Sequence, residues 1–600
     1  MLLFRCVNQL LFIACVLLLT QCTKITDTSV VHVNQQLVSP YTMPATAYLA
    51  LAKNQTGSER QALMIMAAGR LIYDGQWRDG LVILSETSEL TPVLISEKRL
   101  LLAKVDLIRN EPHNAISKLS SVQDSNDLPI YYQVQFHEML ALAYQTVGST
   151  TESVKERMKL ERLLPDEASK ANNRRALWLS LTKLPVAELD MLAMEAPTGS
   201  VFKGWLELSL IARKSSANPQ SMLAAIEQWQ RAYPDHPARF IFPSPLSKAT
   251  SQLFARPKQM ALLLPLTGPL AGPGGAIKDG FMAAFDASNT ASHSTVRLYN
   301  TDGVDIAALY EQAVNDGADY IVGPLSKTNV AVVAGMNHPI PTLLLNDTET
   351  QPSERAYQFG LSPTYEARQV AARARKNGYS RALVIAPADA WGNDVAAAFE
   401  SQWRANGGLV VDTAHYRPTD DLNNLMRDFL RVSDSEARSK QLKQLLGRSL
   451  ESSPSRRQDV DMIFLLAYPS KARQIMPLLK YYYAGDIPVY ATSSVYGGSS
   501  NAMKDRDLNG IIFCDMPWVF NHQMGNKNWP EQFNSYNRLY ALGMDSYALT
   551  SQLNQLLLFP AMGVSDNSGV LYLTSSDKIA RILAFGQFKQ GLAQELADPH

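Results

Sequence analysis

The chain has few of the features that would tie it to a membrane, a metal or a nucleotide along its length. Beyond the first segment no 18-residue apolar stretch occurs, so any membrane attachment has to come from the N-terminus. The four cysteines are Cys6, Cys15, Cys22 and Cys514. The nine histidines are scattered, with no HExxH or comparable ligand spacing, and no metal is expected. No GxxxxGK[ST] loop exists to cradle a triphosphate. Charge of one sign is missing too. Lys and Arg number 56 against 56 Asp and Glu, with no long run of either, which excludes the basic stripe of a dedicated nucleic-acid binder.

What is present starts with an apolar run from Leu10 to Leu19, preceded by Arg5 and closed by Leu19-Thr20-Gln21-Cys22. The run is too short to span a bilayer and has the length of a signal-peptide core. A cysteine just past such a run resembles a bacterial lipobox, in which it is acylated and becomes the mature N-terminus. Gln21 departs from the Gly, Ala or Ser usual before that cysteine. Cleavage there would remove Cys6 and Cys15 and leave Cys514, in Gly510-Ile511-Ile512-Phe513-Cys514, without a disulfide partner. That thiol reads as a small buried hydrophobe. Expected segments are a signal peptide over 1–21, a tether over 22–42 and a helical domain over 43–235. A Pro-rich linker over 236–258 and an α/β domain over 259–600 follow.

Six hundred residues with 46% hydrophobic content predict more than one core. Between Met43 and Asp235 apolar residues recur at helical spacing. Ala68, Leu71, Gly75, Trp77, Gly80, Leu84 and Pro92 sit at the offsets of a tetratricopeptide repeat. Ala103, Leu107, Asn110, Ala115 and Leu119 follow about 35 residues later, in keeping with that period. Ala141, Tyr144, Gly148 and Pro165 make a weaker third copy. Small residues let paired helices approach, and a turn residue joins them. The other reading of this half is a generic helical bundle.

Prolines 234, 237, 243, 245 and 257 then interrupt the pattern. From Gln259 the rhythm becomes short apolar runs alternating with helices. The runs are 260–266, 296–299, 320–322, 342–345, 382–385, 462–467, 489–491 and 511–513. Such alternation predicts parallel sheets covered by helices on both faces, and the length predicts two lobes.

Ala261-Leu262-Leu263-Leu264-Pro265-Leu266-Thr267-Gly268-Pro269-Leu270 with Ala276-Ile277-Lys278-Asp279-Gly280-Phe281 resembles the opening of a type I periplasmic binding protein. Val322-Gly323-Pro324-Leu325-Ser326 and Phe359-Gly360-Leu361-Ser362-Pro363 add to the likeness. Three later stretches are similar to the LpoA family: Arg456–Leu465, Tyr482–Ser493, and Asp507–Gly510 with Phe513–Trp518. That resemblance implies an outer-membrane lipoprotein, lipidated at Cys22, that activates a class A penicillin-binding protein and so regulates peptidoglycan synthesis. It implies a TPR-like helical domain followed by a two-lobed periplasmic-binding-protein-like domain, with no cofactor.

Enzyme signals are poor. Gly272-Pro273-Gly274-Gly275-Ala276-Ile277 has Ile277 where a dinucleotide loop needs its third glycine. Ser565-Asp566-Asn567 and Ser575-Ser576-Asp577-Lys578 imitate two motifs of penicillin-interactive serine enzymes. Their order is reversed, no Lys-Thr-Gly follows, and both are expected in a C-terminal loop region. Ser180-Leu181-Thr182-Lys183 matches the first motif as well, which shows how easily it arises. The chain is read as a regulator and not as an enzyme. The rival is a periplasmic receptor binding an amino acid or peptidoglycan fragment between the lobes. Its candidate contacts are Thr267, Gly268, Ser326, Asp389 and Trp391, at the carboxyl ends of strands. Ser326 and Asp389 would equally serve as helix caps.

Overall fold

The computed structural model describes residues 39–596 apart from 75, 123–124, 215–217, 243–249, 289–293, 447–452, 523–528 and 534. Cys22, Gln21, the signal segment, Gly75, Pro243 and Pro245 therefore lie outside the described residues.

The N-terminal half is built from helices α1 (Ala45–Ala52), α2 (Gly57–Tyr73), α3 (Trp77–Ser85), α4 (Pro92–Ile108), α5 (Pro112–Ser120), α6 (Ile130–Thr146), α7 (Thr150–Leu163), α8 (Glu167–Thr182), α9 (Val186–Glu195), α10 (Val201–Lys214) and α11 (Pro219–Ala232). Local chemistry sets the starts. Thr91 caps α4 by accepting from the Leu94 amide at 3.4 Å, with Pro92 at the first helical position. Asp166 accepts from the Ser169 amide at 2.9 Å. The expected repeat residues do what their offsets require. Asn110 and Gly148 turn the α4–α5 and α6–α7 pairs with φ of +61° and +80°. A Cβ at Gly80 would stand 2.7 Å from Ile72 and 3.0 Å from the Ala68 carbonyl oxygen, so only glycine lets α3 close on α2. Pro237–Ile241, within the stretch expected as a linker, forms a 3-10 helix that buries Ala238 and Ile241 in the core of the helical array.

The first lobe is a five-stranded parallel sheet of order β2-β1-β3-β4-β5. Its strands are β1 (Gln259–Leu264), β2 (Thr295–Asn300), β3 (Tyr320–Val322), β4 (Thr342–Leu344) and β5 (Ala356–Gln358). Helices α12 (Ala271–Ala287), α13 (Ile306–Asn315) and α14 (Lys327–Ala334) connect them. Both faces are covered. Met260, Leu262 and Leu264 pack with Ile277 and Phe281, whereas Ala261 and Leu263 pack with Tyr310 and Val330. A strand buried on both faces reads as an unbroken apolar run, which is why β1 stands out in the sequence.

The second lobe contains α15 (Pro363–Lys376), β6 (Arg381–Pro387), α16 (Ala390–Ala405), β7 (Leu409–Tyr416), α17 (Leu422–Phe429), α18 (Val432–Leu446), β8 (Met462–Leu465), α19 (Pro469–Tyr481), β9 (Val489–Ala491) and β10 (Ile512–Asp515). The chain returns through α20 (Pro517–Asn521) to α21 (Tyr536–Leu558), which packs along α12 in the first lobe. It ends in β11 (Val564–Asp566), β12 (Gly569–Leu573), β13 (Ile579–Ile582), β14 (Ala584–Lys589) and β15 (Leu592–Glu595).

Here the expectation needs correcting. The second sheet, of order β15-β14-β10-β9-β8-β6-β7, is mixed, because β14 runs antiparallel to β10 and β15 antiparallel to β14. The stretch expected as a C-terminal loop holds a separate antiparallel sheet, β11-β12-β13. Tight turns make both possible. Gln590 and Gly591 have φ of +54° and +75°, the double left-handed step that suits a two-residue hairpin.

Candidate functional site

A cavity of about 620 Å³ opens where the carboxyl ends of β6, β8 and β9 meet the segments that cross between the lobes. The loop after β8 supplies Tyr468 and the start of α19, Pro469 and Arg473. The loop after β9 supplies Thr492, Ser493 and Ser494. Pro363 and Glu366 come from the first crossing, and Trp529, Glu531 and Arg538 from the return crossing.

Of the five residues expected in the cleft, only Trp391 lines this cavity. Its indole stacks on the Tyr468 ring, 4.8 Å between centroids and 12° between planes. Asp389, two residues earlier, caps α16 by accepting from the Gly392 amide at 2.7 Å. Ser326 caps α14 through the Asn329 amide at 3.3 Å. The Thr267 hydroxyl donates to Asp302 at 2.8 Å and accepts from Asn300 at 2.9 Å, so it is spent on tying the loop after β1 to the end of β2. Gly268, at φ +72°, sits where a Cβ would press into the Asp302 carboxylate.

The charged residues of the cavity were not expected from the sequence. Glu366, at the start of α15, accepts through Oε2 from the Ser493 amide at 3.1 Å and its hydroxyl at 2.7 Å. Burial pushes its carboxyl above the ordinary range, outweighing the pull of Arg581, Ser493 and Arg538. Arg538, at the start of α21, is bidentate to Asp515 at 2.8 and 2.6 Å and also donates to the Ser493 and Tyr496 carbonyls. Arg473 holds Asp505 at 2.7 Å, although burial still pushes that carboxyl up. These residues sit more than a hundred positions apart in part, and each looks locally like a solvated helix charge. The one usable signal was Ser493, inside the Tyr482–Ser493 stretch that carried the resemblance.

The serine-enzyme motifs resolve into structure. Asn567 donates to Asp545 at 2.8 Å and the Ser568 amide donates to the same carboxylate at 2.6 Å, which ties the β11–β12 turn to α21. The Ser180 hydroxyl donates to the Ala176 carbonyl at 2.9 Å within α8. Among the described residues no cluster of three or more His, Cys, Asp or Glu could hold a metal ion. None of their helices is long and apolar enough to cross a membrane.

The family model described as "LppC putative lipoprotein" matches residues 41–591, from the first packed tyrosine to the last hairpin. The chain belongs to the LppC family. LppC relatives with similar sequences include the penicillin-binding protein activator LpoA of Photobacterium profundum. It is 27% identical over 92% of this chain and 93% of that protein. LpoA of Vibrio antiquarius is also 27% identical, over 90% and 92%. A crystal form of Haemophilus influenzae LpoA aligns with 94% of this chain and 100% of that one, at 22% identity and a TM-score of 0.48. As expected from the sequence, this chain joins a helical half to a two-lobed α/β half.

Proposed function

We propose that this chain is an outer-membrane lipoprotein, anchored through acylated Cys22, that binds and activates a class A penicillin-binding protein. One observation carries the reading: the LppC match runs through both domains, and relatives named penicillin-binding protein activator align along nine-tenths of the chain. The alignment thus spans the helical half and the α/β half alike. Activation follows from linkage. The chain raises synthase activity only by binding the active conformation more tightly than the inactive one. Several acyl chains on Cys22 would give the stable anchoring that one chain does not. Thr23 stands where an aspartate signals inner-membrane retention in enteric lipoproteins, and this supports the outer-membrane address. The chain itself catalyses nothing in this reading.

The test is glycan polymerisation by a purified class A synthase with and without the purified chain. A rate increase that saturates with the chain supports the reading. An unchanged rate together with no detectable complex removes it.

A further inference from the structure

Arg157, in the middle of α7, is buried in the helical array with no anion beside it. The residue is 5% exposed. Its guanidinium makes one hydrogen bond, from Nη2 to the Gln145 amide oxygen on α6 at 3.3 Å. Nε is shut off from solvent and has no acceptor. Nη1 has no described acceptor either, but it is not shut off in the same way. The carboxylates on its own helix are engaged elsewhere. Glu152 pairs with Lys155, Glu156 with His137 and Lys159, and Glu161 with Arg174. Burial pulls the guanidinium down to a pKa of about 10, and Glu138 on α6 opposes this only from beyond ion-pair distance. A buried cation left in this state is costly and calls for an explanation.

What stands near Arg157 is a second cation. Lys183 follows α8 and closes the Ser180-Leu181-Thr182-Lys183 pattern, whose serine is spent inside the helix. The protein packed around its ammonium lowers the Lys183 pKa, Glu595 on β15 opposes this, and the Arg157 charge lowers it further. The ammonium has no hydrogen-bond or ion-pair partner among the described residues. Lys183 is exposed, so solutes reach the pair from its side. Gln145 gives its oxygen to Arg157 and keeps its amide N–H groups without a described acceptor. The ends of α6 and α8 and the middle of α7 thus bring three donor groups together.

We propose that Arg157, Lys183 and Gln145 form a binding site for a phosphate group, with Nη1 of Arg157, the Lys183 ammonium and the Gln145 amide donating to its oxygens. Two cations match a phosphate, which carries roughly −1.5 to −2 near neutral pH, better than a singly charged carboxylate. A guanidinium is weakly hydrated for a cation and makes charge-assisted hydrogen bonds to phosphate oxygens, so the anion completes what burial leaves open. Free phosphate and a phosphomonoester share this chemistry. The site shares no residue with the cavity beside Trp391. It goes beyond the activator reading, and it stands or falls separately because its test contains no synthase.

The test is calorimetric titration of the whole chain in detergent, with inorganic phosphate in one arm and glycerol 3-phosphate in the other. Acetate at the same ionic strength serves as the comparison. Binding with 1:1 stoichiometry in either arm supports the proposal, and the tighter arm names the source. Lys183→Gln, a change at an exposed position, weakens that binding at least tenfold. Arg157→Met keeps an unbranched side chain in the same space, removes the unpaired charge and abolishes the binding. Where Arg157→Met fails to fold, Lys183→Gln decides the matter. No binding in either arm at millimolar concentration overturns the proposal. So does acetate that binds as tightly as phosphate, an unchanged Kd in the Lys183→Gln chain, or binding that survives in a folded Arg157→Met chain.

Discussion

The Trp178 indole on α8 packs against the Phe559 ring at the end of α21, 5.1 Å between centroids. One residue belongs to the helical array and the other to the α/β half. Around them Leu558, Phe559 and Met562 join Trp205, Trp229 and Ile241 in a single apolar cluster. The side chain of Arg175 adds a hydrogen bond to the Ala561 carbonyl at 2.6 Å. The two halves therefore share a core, and the proline-rich stretch is not their sole connection.

Phe559→Ala empties a fully buried ring from that shared core. The expected cost is about 3–5 kcal/mol, read by urea unfolding. A double-mutant cycle with Trp178→Ala should show a coupling of about 0.5–1.5 kcal/mol for the ring pair. Strict additivity would mean the two halves do not communicate through these rings.

Glycine sets the approach of α12 and α21. A Cβ at Gly543 would overlap the Ile277 carbonyl oxygen, and one at Gly280 would overlap that of Tyr540. Neither neighbour is a flexible side-chain end, so the helices must move apart. Gly543→Ala should cost at least the upper part of the usual range of about 1–3 kcal/mol for overpacking. A thermal midpoint indistinguishable from that of wild type contradicts this contact.

Asp566 and Asp545 give a pH dependence with a defined sign. Burial, and then the Asp545 carboxylate beside it, push the Asp566 carboxyl well above the ordinary range; burial also pushes Asp545 up. The folded state thus holds a proton that the unfolded chain releases near about pH 4. This contribution to stability is complete below that pH and is lost as the pH rises toward the raised folded value. Asp566→Asn keeps an acceptor for the Asn567 amide, now at 3.0 Å, and removes the titration. Its unfolding midpoint should fall less than that of wild type between about pH 4 and neutrality. Parallel curves for the two proteins would rule the pair out as the source.

Tyr41 lies just ahead of α1, near the start of the described residues. Its ring is 4% exposed, occupies the space left by Gly69 and donates to Glu97 at 3.2 Å. Tyr41→Ala should speed amide exchange at residues 40–48 and lower the unfolding free energy by roughly 3 kcal/mol. Unaltered exchange there would show that Tyr41 does not secure the entry to the array.

Cys22→Ala tests the anchor directly. The substituted chain should leave the membrane fraction, and mass spectrometry of the wild-type N-terminal peptide should find acylated Cys22. A free, unacylated N-terminus elsewhere would trace the departure to Gln21.

Local chemistry made much of the fold readable. Tyr320–Val322 and Val489–Ala491 are strands over the residues expected, because strands buried on both faces announce themselves as short apolar runs. Asn110, Gly148 and Gly80 marked the helix pairs because turns and close approaches restrict residue type. β7 escaped notice for the opposite reason. It is an edge strand with Leu409 half exposed and Asp412, Thr413 and His415 breaking any apolar run.

The sequence by itself determined the order of a helical half and an α/β half, and it carried the Cys22 expectation, since periodicity and short motifs are local properties. Only the tertiary structure decided that Trp178 meets Phe559, and that Glu366, Arg473 and Lys504 share one cavity while Thr267, Gly268 and Ser326 do not line it. A charge at a helix start or in a loop carries no sign of its partner. Long-range packing alone fixes which of its hydrogen bonds are met and which are left open.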